Sequence, residues 1–360
     1  MKVLHVINSL YTGGAERLLV DSLPLYASNG INVDLFLLTG SDAPFLKELR
    51  KVFNGNVYIS KANSLYSVKQ LTEISNCIKM GHYDIIHGHL FPVLYWLSIS
   101  KKLGKIDAKL VFTEHSTENK RINSIIFRQF DKSIYRSFDA ITAITPQVKS
   151  ALTSKLGIST NKIHVIYNGV DLSRFHNIED TQHSNLNSSK QITLIQVSRF
   201  TEHKDQDTLI RALAKLDNRY KLLLVGDGPR RIECEELAKQ LKIEDRVEFL
   251  GVRMDVPDLI LSSDIVIQSS HWEGFGLTAI EGMASGKPVI ASDVPGLSEL
   301  VNHYGLVFKK GNVQDLTNKI LELEDTNIKE KIIENCLRRA EQFSIKSMVS
   351  NISNLYNQLL

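Results

Sequence analysis

Short apolar runs alternate with amphipathic stretches along the whole chain. Five runs in the first half have the length and apolar character of buried strands: Val3–Ile7, Val33–Leu38, Ile85–His87, Leu110–Thr113 and Ala140–Ile144. Five similar runs follow in the second half: Thr193–Val197, Lys221–Val225, Val247–Leu250, Ile265–Gln268 and Pro288–Ala291. Such continuous apolar runs are typical of parallel sheets that are covered on both faces by helices.

Stretches with helical periodicity separate these runs. They are Ala15–Ser28, Ala43–Val52, Ser67–Met80, Ile125–Arg136, Gln206–Leu216, Arg231–Leu241 and Thr278–Ser285. The repeated order of strand and helix predicts an α/β protein with two Rossmann-like domains. Ligands of open α/β sheets bind beyond the carboxyl ends of the strands, so we expect the two domains to face each other across a cleft that holds the active site.

The boundary between the two domains is predicted within the segment Tyr167–Asp171. The residues 177–190 that follow are polar and aperiodic, which is typical of a surface connection. We therefore assign residues 1–168 to an N-terminal domain on the acceptor side and residues 169–344 to a C-terminal domain. The helical stretch 345–360 comes after the second sheet is complete, and we expect it to cross back and pack on the first domain.

Composition places the chain among soluble globular proteins. Its 360 residues are enough for two domains, and 43% of them are hydrophobic and 23% charged. Three widely spaced cysteines favour a reducing cytoplasm over a disulfide framework. The first residues lack the features of a signal peptide, and the longest apolar stretch, Leu90–Ile99, has about half the roughly 20 residues that span a bilayer. We expect no membrane crossing.

Charge is distributed unevenly between the two halves. Residues 1–168 carry 20 Lys and Arg against 12 Asp and Glu, whereas the remaining residues carry 23 against 28. A basic half suggests a face that meets an anionic partner. The basic, amphipathic stretch Lys120–Arg136 places Arg128, Lys132 and Arg136 on one helical face, which suits either a membrane surface or solvent.

The strongest chemical signal is the motif E-G-F-G-L-T-A-I-E, which runs from Glu273 to Glu281 and follows a buried strand. Gly274 and Gly276 allow a ligand to approach the backbone closely, and we expect Thr278 to cap the helix that begins here. Free N–H groups and a partial positive charge at the start of a helix suit a diphosphate. Glu273 precedes the helix, near where a sugar would project, and Glu281 can accept hydrogen bonds from ribose hydroxyls.

A second signal is the loop Ser198–Lys204, which follows the first strand of the second domain. Arg199 and Lys204 can both reach one diphosphate, the arginine through its planar fork and the lysine as a point charge. They would neutralise the charge that builds on a leaving diphosphate and so replace a divalent metal. No Asp-x-Asp cluster suited to Mg²⁺ or Mn²⁺ follows a strand. We therefore predict no catalytic metal and no other cofactor.

Three weaker signals allow structural as well as functional interpretations. Gly226–Pro229 lacks the third glycine of a dinucleotide fingerprint and favours a structural turn. Gly13 and Gly14 fit either a tight turn or close approach to a ligand. His87 and His89 invite a metal site, but no third ligand lies at a suitable spacing, which argues against a metal.

Four motifs follow one another along the chain: Gly13-Gly14, the Asn168–Asp171 segment, Ser198-Arg199 with Lys204, and the two glutamates Glu273 and Glu281. In this order they resemble glycosyltransferase family 4, of GT-B fold, over nearly the whole chain. The resemblance implies a retaining enzyme that moves a hexose-type sugar from a nucleotide diphosphate sugar, with a UDP-sugar favoured, to an acceptor hydroxyl. The leaving phosphate itself then takes the acceptor proton.

The same resemblance implies roles for four catalytic residues. Arg199 and Lys204 would hold the donor diphosphate, and Glu273 would hydrogen-bond the hydroxyls of the sugar. His115 resembles the histidine of the N-terminal domain that faces the donor sugar, although a histidine at a strand end can also be a satisfied polar group.

Further donor contacts are implied in both domains. Backbone groups of Phe275, Gly276 and Leu277 would lie close to the sugar and phosphate, Glu281 would bind the ribose, and Arg253 would contact the nucleobase. Gly13 and Gly14 would let their loop close against donor and acceptor.

The acceptor implied by the resemblance is a saccharide or lipid-linked saccharide in cell-surface polysaccharide biosynthesis. We expect a cytoplasmic protein, peripheral on the inner face of the membrane, with no nucleic-acid partner. A sugar-nucleotide epimerase of the same architecture and a non-catalytic sugar-nucleotide-binding regulator are the alternatives. An epimerase would turn over the donor alone, whereas a regulator is expected to lack Lys204 or Glu273, which are both present. An NAD-dependent dehydrogenase is disfavoured because the complete glycine fingerprint is missing.

Overall fold

The computed structural model describes residues 1–116, 125–175 and 191–360. Its internal contacts divide the chain into two compact units. Unit 1 consists of Met1–Gly169 together with Ile345–Leu360, and unit 2 consists of Val170–Ser344.

Unit 1 is built on a seven-stranded parallel sheet with the order β3-β2-β1-β4-β5-β6-β7. Its strands are β1 (Lys2–Ile7), β2 (Asn32–Leu37), β3 (Val57–Ile59), β4 (Ile85–His89), β5 (Lys109–Glu114), β6 (Ala140–Ala143) and β7 (Ile163–Val165). The helices along this part of the chain are α1 (Gly14–Ser22), α2 (Pro44–Leu49), α3 (Lys69–Gly81), α4 (Val93–Lys102), α5 (Ile125–Arg136) and α6 (Pro146–Leu156).

Unit 2 has a six-stranded parallel sheet with the order β10-β9-β8-β11-β12-β13. Its strands are β8 (Ile192–Val197), β9 (Tyr220–Val225), β10 (Val247–Gly251), β11 (Ile265–Gln268), β12 (Val289–Ser292) and β13 (Leu306–Phe308). Its helices are α7 (Gln206–Leu213), α8 (Arg231–Gln240), α9 (Val256–Ser262), α10 (Leu277–Ala284), α11 (Ser298–Val301), α12 (Val313–Glu322) and α13 (Thr326–Ala340).

A last helix, α14 (Ile345–Leu359), belongs to unit 1. Its apolar residues recur every three or four positions and form one buried stripe. This stripe packs into the same core as Val3 and Ile7 of β1 and Leu35 of β2. Its members are Ile345, Met348, Val349, Ile352, Leu355 and Tyr356.

The predicted fold class, two parallel-sheet Rossmann-like domains, is confirmed. All ten predicted strands are present, with ends that differ by at most two residues. The pattern missed β3, β7 and β13, which have three residues each and lie at sheet edges. Strands this short are difficult to distinguish from loops by their apolar content.

The helices differ more from the prediction. The stretch predicted over Ala15–Ser28 divides at Ser22, where α1 ends and the 3₁₀ helix Leu23–Asn29 begins, because Pro24 has no N–H to continue the α-helical ladder. The apolar pattern also does not predict α4, α6, α9, α11, α12 or α13. None of the helices in the described ranges combines the length and apolar character that a membrane span requires.

Candidate functional site

Two loops of unit 2 bring Lys204 and Glu273 into direct contact. One loop follows β8 and the other follows β11, and these strands are neighbours in the sheet. The Lys204 Nζ forms an ion pair with the Glu273 carboxylate. Only 16% and 15% of the two side chains are exposed, so both charges are largely removed from water. We refer to these two residues as the Lys204–Glu273 pair.

Three further donors hold the Glu273 carboxylate in place. Its Oε2 accepts from the Gln268 Nε2 at 3.2 Å and from the Ser270 hydroxyl at 3.4 Å, in addition to Lys204. Its Oε1 accepts from the Gly274 N–H at 3.1 Å. Because each carboxylate oxygen has two lone pairs, Oε1 retains one acceptor position without a partner among the described residues. That position can take a ligand hydroxyl.

The two loops are also joined through other side chains and the backbone. The His271 N–H donates to the His203 carbonyl at 2.7 Å, and the Ser269 hydroxyl donates to the Lys204 carbonyl at 3.2 Å. The His203 and Trp272 rings stack with their centroids 4.2 Å apart. Burial is the main cause that lowers the pKa of His203, so this ring is neutral at pH 7. The loops therefore form one connected structure around the Lys204–Glu273 pair.

Asp205 fixes the end of the Lys204 loop at the start of α7. Its backbone adopts a left-handed conformation, with φ at 48°, and its carboxylate caps α7 by accepting from the Thr208 N–H at 3.3 Å. The other carboxylate oxygen lies 3.6 Å from the His271 Nδ1. Burial raises the pKa of the Asp205 carboxyl above its ordinary value.

The loop Gly226–Pro229 has a structural role, as its sequence favoured. Gly226 and Gly228 have φ values of 128° and 159°. A Cβ atom on Gly226 would lie 2.1 Å from the Ser198 carbonyl oxygen, and one on Gly228 would lie 2.3 Å from the Phe200 carbonyl oxygen. Glycine is required at both positions because this loop packs directly on the backbone of the Arg199 loop.

Arg199 is exposed on that loop, whose backbone is firmly held. The buried Gln206 side chain donates to the Arg199 carbonyl at 3.1 Å and to the Ser198 hydroxyl at 3.0 Å. The guanidinium thus extends toward solvent from a rigid base. Neither Gln206 nor Gln268 was singled out by the sequence motifs.

The helix α10 begins two residues earlier than its predicted cap allows. Gly276 is the N-cap, with φ at 93°, and Leu277 is the first helical residue. The prediction that Thr278 caps the helix is wrong. Its hydroxyl donates instead to the Val197 carbonyl of β8 at 3.3 Å, because the side chain at the second helical position faces the sheet. The first N–H groups of α10 have no intrahelical partners, as at every helix start.

The remaining donor-side candidates of unit 2 differ in their surroundings. Glu281 lies one turn into α10 and is partly exposed. Phe275 is buried, and its ring packs edge-on against Phe343 at 5.6 Å. Arg253 is exposed and forms a two-pronged ion pair with Asp255. A nucleobase contact by Arg253 stays a prediction and would have to compete with this pair.

Gly13, Gly14 and His115 belong to unit 1. Gly13 is the exposed N-cap of α1, and Gly14 is its first residue. A Cβ on Gly13 would lie 2.3 Å from the Glu16 side chain, which is free to move because it is a flexible carboxylate. His115 follows β5, and burial lowers its pKa to about 4, so its ring is neutral at pH 7.

The prediction that no third ligand lies near His87 and His89 is wrong. His5 of β1 lies beside them, and ring nitrogens of the three residues all lie within 4.8 Å of one another. The rings of His87 and His89 nevertheless stack, with centroids 4.3 Å apart and planes inclined by 27°. An imidazole binds a metal along the lone pair in its own plane, so stacked rings direct their lone pairs side by side. This arrangement does not converge on one ion.

Comparisons with known proteins cover nearly the full length of the chain. Residues 177–339 match the family model described as glycosyl transferases group 1, and residues 12–174 match the model described as glycosyltransferase family 4. The chain is 28% identical over 345 residues to N-acetyl-alpha-D-glucosaminyl L-malate synthase of Bacillus anthracis, which covers 89% of this chain and 88% of that protein.

Two further comparisons extend over whole chains. The UDP-Gal:alpha-D-GlcNAc-diphosphoundecaprenol alpha-1,3-galactosyltransferase of Escherichia coli is 22% identical, over 99% of this chain and 96% of that protein. The crystal structure of HepE from Anabaena in complex with UDP and glucose is 26% identical, with a TM-score of 0.85 over 99% of this chain and 100% of that chain.

Proposed function

Because the two models together match residues 12–174 and 177–339, the chain belongs to the family 4 glycosyltransferases, of GT-B fold, and we propose that it is a retaining, metal-independent transferase that uses a nucleotide diphosphate sugar. The observation that carries this proposal is the largely buried Lys204–Glu273 pair at the start of α10. It joins a cation suited to phosphate and a carboxylate suited to sugar hydroxyls within one site.

The proposed reaction breaks the bond between the anomeric carbon and the donor phosphate oxygen. The electron pair of that bond stays on the nucleoside diphosphate, where Lys204, Arg199 and the first N–H groups of α10 stabilise it. The acceptor oxygen bonds to the anomeric carbon on the face that the phosphate leaves. Its proton passes to the departing phosphate oxygen, so atoms and charge balance without an enzymatic base.

Glu273 orients the sugar in this proposal. The carboxylate is fixed by Lys204, Gln268, Ser270 and the Gly274 N–H, and the open position on its Oε1 accepts from a sugar hydroxyl. Glu281 binds the ribose, and Phe275, Gly276 and Leu277 bring their backbone close to the sugar and phosphate. In unit 1, the neutral His115 is assigned to the donor sugar, and Gly13 and Gly14 to the loop that admits both substrates.

The favoured donor is a UDP-hexose, which is supported by the likeness to HepE in complex with UDP and glucose. A thermal-shift screen with UDP-, GDP- and ADP-sugars tests this. At 100 times the Kd, a ligand that binds only the folded state adds about 2.7 kcal/mol, which raises the midpoint of a unit of this size by about 5 to 10 °C.

We expect this rise with UDP-glucose and a smaller one with the other nucleotides. The Lys204→Ala variant is the control and should lose most of the shift. A rise with GDP-sugars alone would contradict the choice of base, and no rise with any of the three would contradict the proposed site.

Metal independence is tested by removing metal ions. Because the cations Arg199 and Lys204 are proposed to stabilise the leaving diphosphate, EDTA should leave the rate of transfer unchanged. The measurement is product formation by the same enzyme preparation with EDTA, with Mg²⁺ and with Mn²⁺. Strong inhibition by EDTA that Mn²⁺ reverses would rule out the metal-free account.

The proposed acceptor is a saccharide or lipid-linked saccharide in cell-surface polysaccharide biosynthesis, by analogy with the Escherichia coli relative. A cytoplasmic protein on the inner membrane face would meet such an acceptor. Helix α5 offers the exposed Phe130 and Arg136 for this contact, while residues 120–124 of the predicted basic stretch lie outside the described residues. Co-sedimentation with phosphatidylglycerol vesicles, compared with phosphatidylcholine vesicles, measures the contact.

A further inference from the structure

Unit 1 contains a row of hydrogen-bonded side chains that the proposed reaction does not use. The row crosses four neighbouring strands and includes one residue of α14. Each of its members is at most 6% exposed. In order along the row, they are His89 of β4, His5 of β1, Tyr356 of α14, His87 of β4, Thr113 of β5 and Thr142 of β6. We refer to these six residues as the histidine row.

Hydrogen bonds join each member to the next. The His89 Nε2 lies 3.0 Å from the His5 Nδ1, and the His5 Nε2 lies 3.3 Å from the Tyr356 hydroxyl. That hydroxyl also bonds the His87 Nδ1. The His87 Nε2 lies 2.7 Å from the Thr113 Oγ1, which lies 2.6 Å from the Thr142 Oγ1. The far end of the row is the Phe112 carbonyl oxygen, 3.5 Å from the Thr142 Oγ1.

The three imidazoles of the row are neutral at pH 7. Burial lowers the pKa of His5 to about 3 and lowers the pKa values of His87 and His89 well below the ordinary value. A neutral imidazole has one N–H donor and one acceptor nitrogen. Each member of the row therefore donates a hydrogen bond to one neighbour and accepts one from the other. Once the donor at one end is known, the donor in every other bond follows.

The Phe112 carbonyl sets this direction because it can only accept. Thr142 donates to it, and Thr113 donates to Thr142. The His87 Nε2 must then carry the proton that Thr113 accepts, so the His87 Nδ1 accepts from the Tyr356 hydroxyl. Tyr26 also hydrogen-bonds this hydroxyl, and because its single proton goes to His87, Tyr26 is the donor in that bond.

The same direction continues to His89. The Tyr356 oxygen accepts from the His5 Nε2–H, and the His5 Nδ1 accepts from the His89 Nε2–H. The His89 Nδ1 is left with an open lone pair. In the opposite direction Thr142 would donate to Thr113, and the Phe112 carbonyl would lose its hydrogen bond from Thr142.

The His89 ring lies beside His115, the residue assigned to the donor sugar. The His89 and His115 ring centroids are 5.9 Å apart. The His89 Nδ1 and the His115 Nε2 are both buried and have no hydrogen-bond partner among the described residues. A cavity of about 20 Å³, enough for one water molecule, is lined by His89, Thr113 and Asn168 among others.

From this geometry we propose that the histidine row fixes His89 as its Nε2–H tautomer, so that its Nδ1 accepts a hydrogen bond from an O–H group bound beside His89. Tyr356 is then a positioning residue that acts through His87 and His5. The O–H group is either a hydroxyl of the bound sugar or a water in the cavity. The link to transfer rests on the proposed function of His115, whereas the tautomer does not depend on it.

The tautomer is tested by NMR on the full chain labelled with ¹⁵N-histidine, with His89→Gln, His5→Gln and His87→Gln variants used for assignment. The ring nitrogen shifts separate protonated from unprotonated nitrogens. We expect all three residues to keep Nδ1 unprotonated between pH 6 and pH 8. A protonated His89 Nδ1, or titration of His89 in this range, would overturn the proposal whether or not the protein transfers sugar.

Two additions separate the sources of the O–H group. A change in the His89 Nδ1 signal with UDP-glucose, but not with UDP alone, supports a sugar hydroxyl. A hydrogen-bonded Nδ1 that responds to neither supports the internal water. An Nδ1 that shows no hydrogen bond in any of these states would contradict the inferred acceptor role.

The role of Tyr356 is tested with Tyr356→Phe, which removes one hydroxyl and keeps the ring. We expect mixed tautomers at His5 and His89 and a fall in kcat of about 10-fold, with the Kd for UDP-glucose unchanged. Tyr220→Phe is the matched control, because Tyr220 is a fully buried tyrosine of unit 2 whose hydroxyl bonds Glu324 at 2.8 Å. Unaltered tautomers in Tyr356→Phe would overturn its positioning role.

Discussion

Replacing Lys204 with alanine is expected to reduce sugar transfer by about 10²- to 10³-fold, mainly through kcat. The Lys204 side chain is 16% exposed, so its charge acts on a bound diphosphate with little screening by water. Its removal takes away stabilisation that is needed most when the phosphate leaves. Steady-state kinetics of product formation with saturating donor measure the effect.

The fold should survive this substitution. Glu273 loses its ion-pair partner but keeps hydrogen bonds from Gln268, Ser270 and the Gly274 N–H, so its carboxylate is not left without donors. Lys221→Ala is a suitable control, since it removes a partly exposed lysine from the adjacent strand β9. Transfer by Lys204→Ala at the wild-type rate, with an unchanged melting temperature, would remove Lys204 from the mechanism.

Replacing Glu273 with alanine is expected to lower kcat/KM by about 10²-fold or more. The variant loses the acceptor for a sugar hydroxyl, and it also leaves Lys204 without the carboxylate that holds it in place. Glu273→Gln keeps the shape of the side chain and one carbonyl acceptor, but it removes the charge that Lys204 pairs with. We expect Glu273→Gln to fall between the wild type and Glu273→Ala.

The measurement pairs kinetics with donor binding. Glu273→Ala should retain most of its affinity for UDP, because the diphosphate is assigned to Arg199 and Lys204, and should lose affinity for the sugar part of UDP-glucose. The control Glu248→Ala removes an exposed glutamate of β10 and should behave as wild type. Normal turnover in Glu273→Ala would contradict the assignment of Glu273 to the sugar hydroxyl. Extensive turnover of the donor alone by the wild type would favour an epimerase.

The fold class could be predicted from the sequence because buried parallel strands leave a clear local signal. Ten apolar runs marked the ten longer strands, since each is apolar on both faces. Lys204 and Glu273 could also be assigned to one donor site, although 69 residues separate them and their ion pair was not predicted. Both follow strand ends, and the carboxyl ends of neighbouring parallel strands meet at one edge of the sheet.

The details that depend on side-chain direction could not be predicted. Thr278 has the right chemistry and nearly the right position for a cap, but Gly276 begins the helix and directs Thr278 toward β8. His5 gives no local sign that it lies beside His87, since their proximity follows from the pairing of β1 with β4. Gln268 and Gln206 resemble ordinary polar residues at the ends of a strand and a helix until their hydrogen-bond partners are known.

The return of α14 to unit 1 has a consequence for biosynthesis. The ribosome must add 175 residues, 170 to 344, after Gly169 before the first residue of α14 exists. At about 5 to 20 residues per second this takes about 10 to 35 s. Throughout that interval the nascent first sheet lacks the six side chains that complete its core, among them the tyrosine that hydrogen-bonds its buried histidines. Its final packing therefore waits until residues 170–344 and α14 have been made, and chaperones have time to bind the exposed surface.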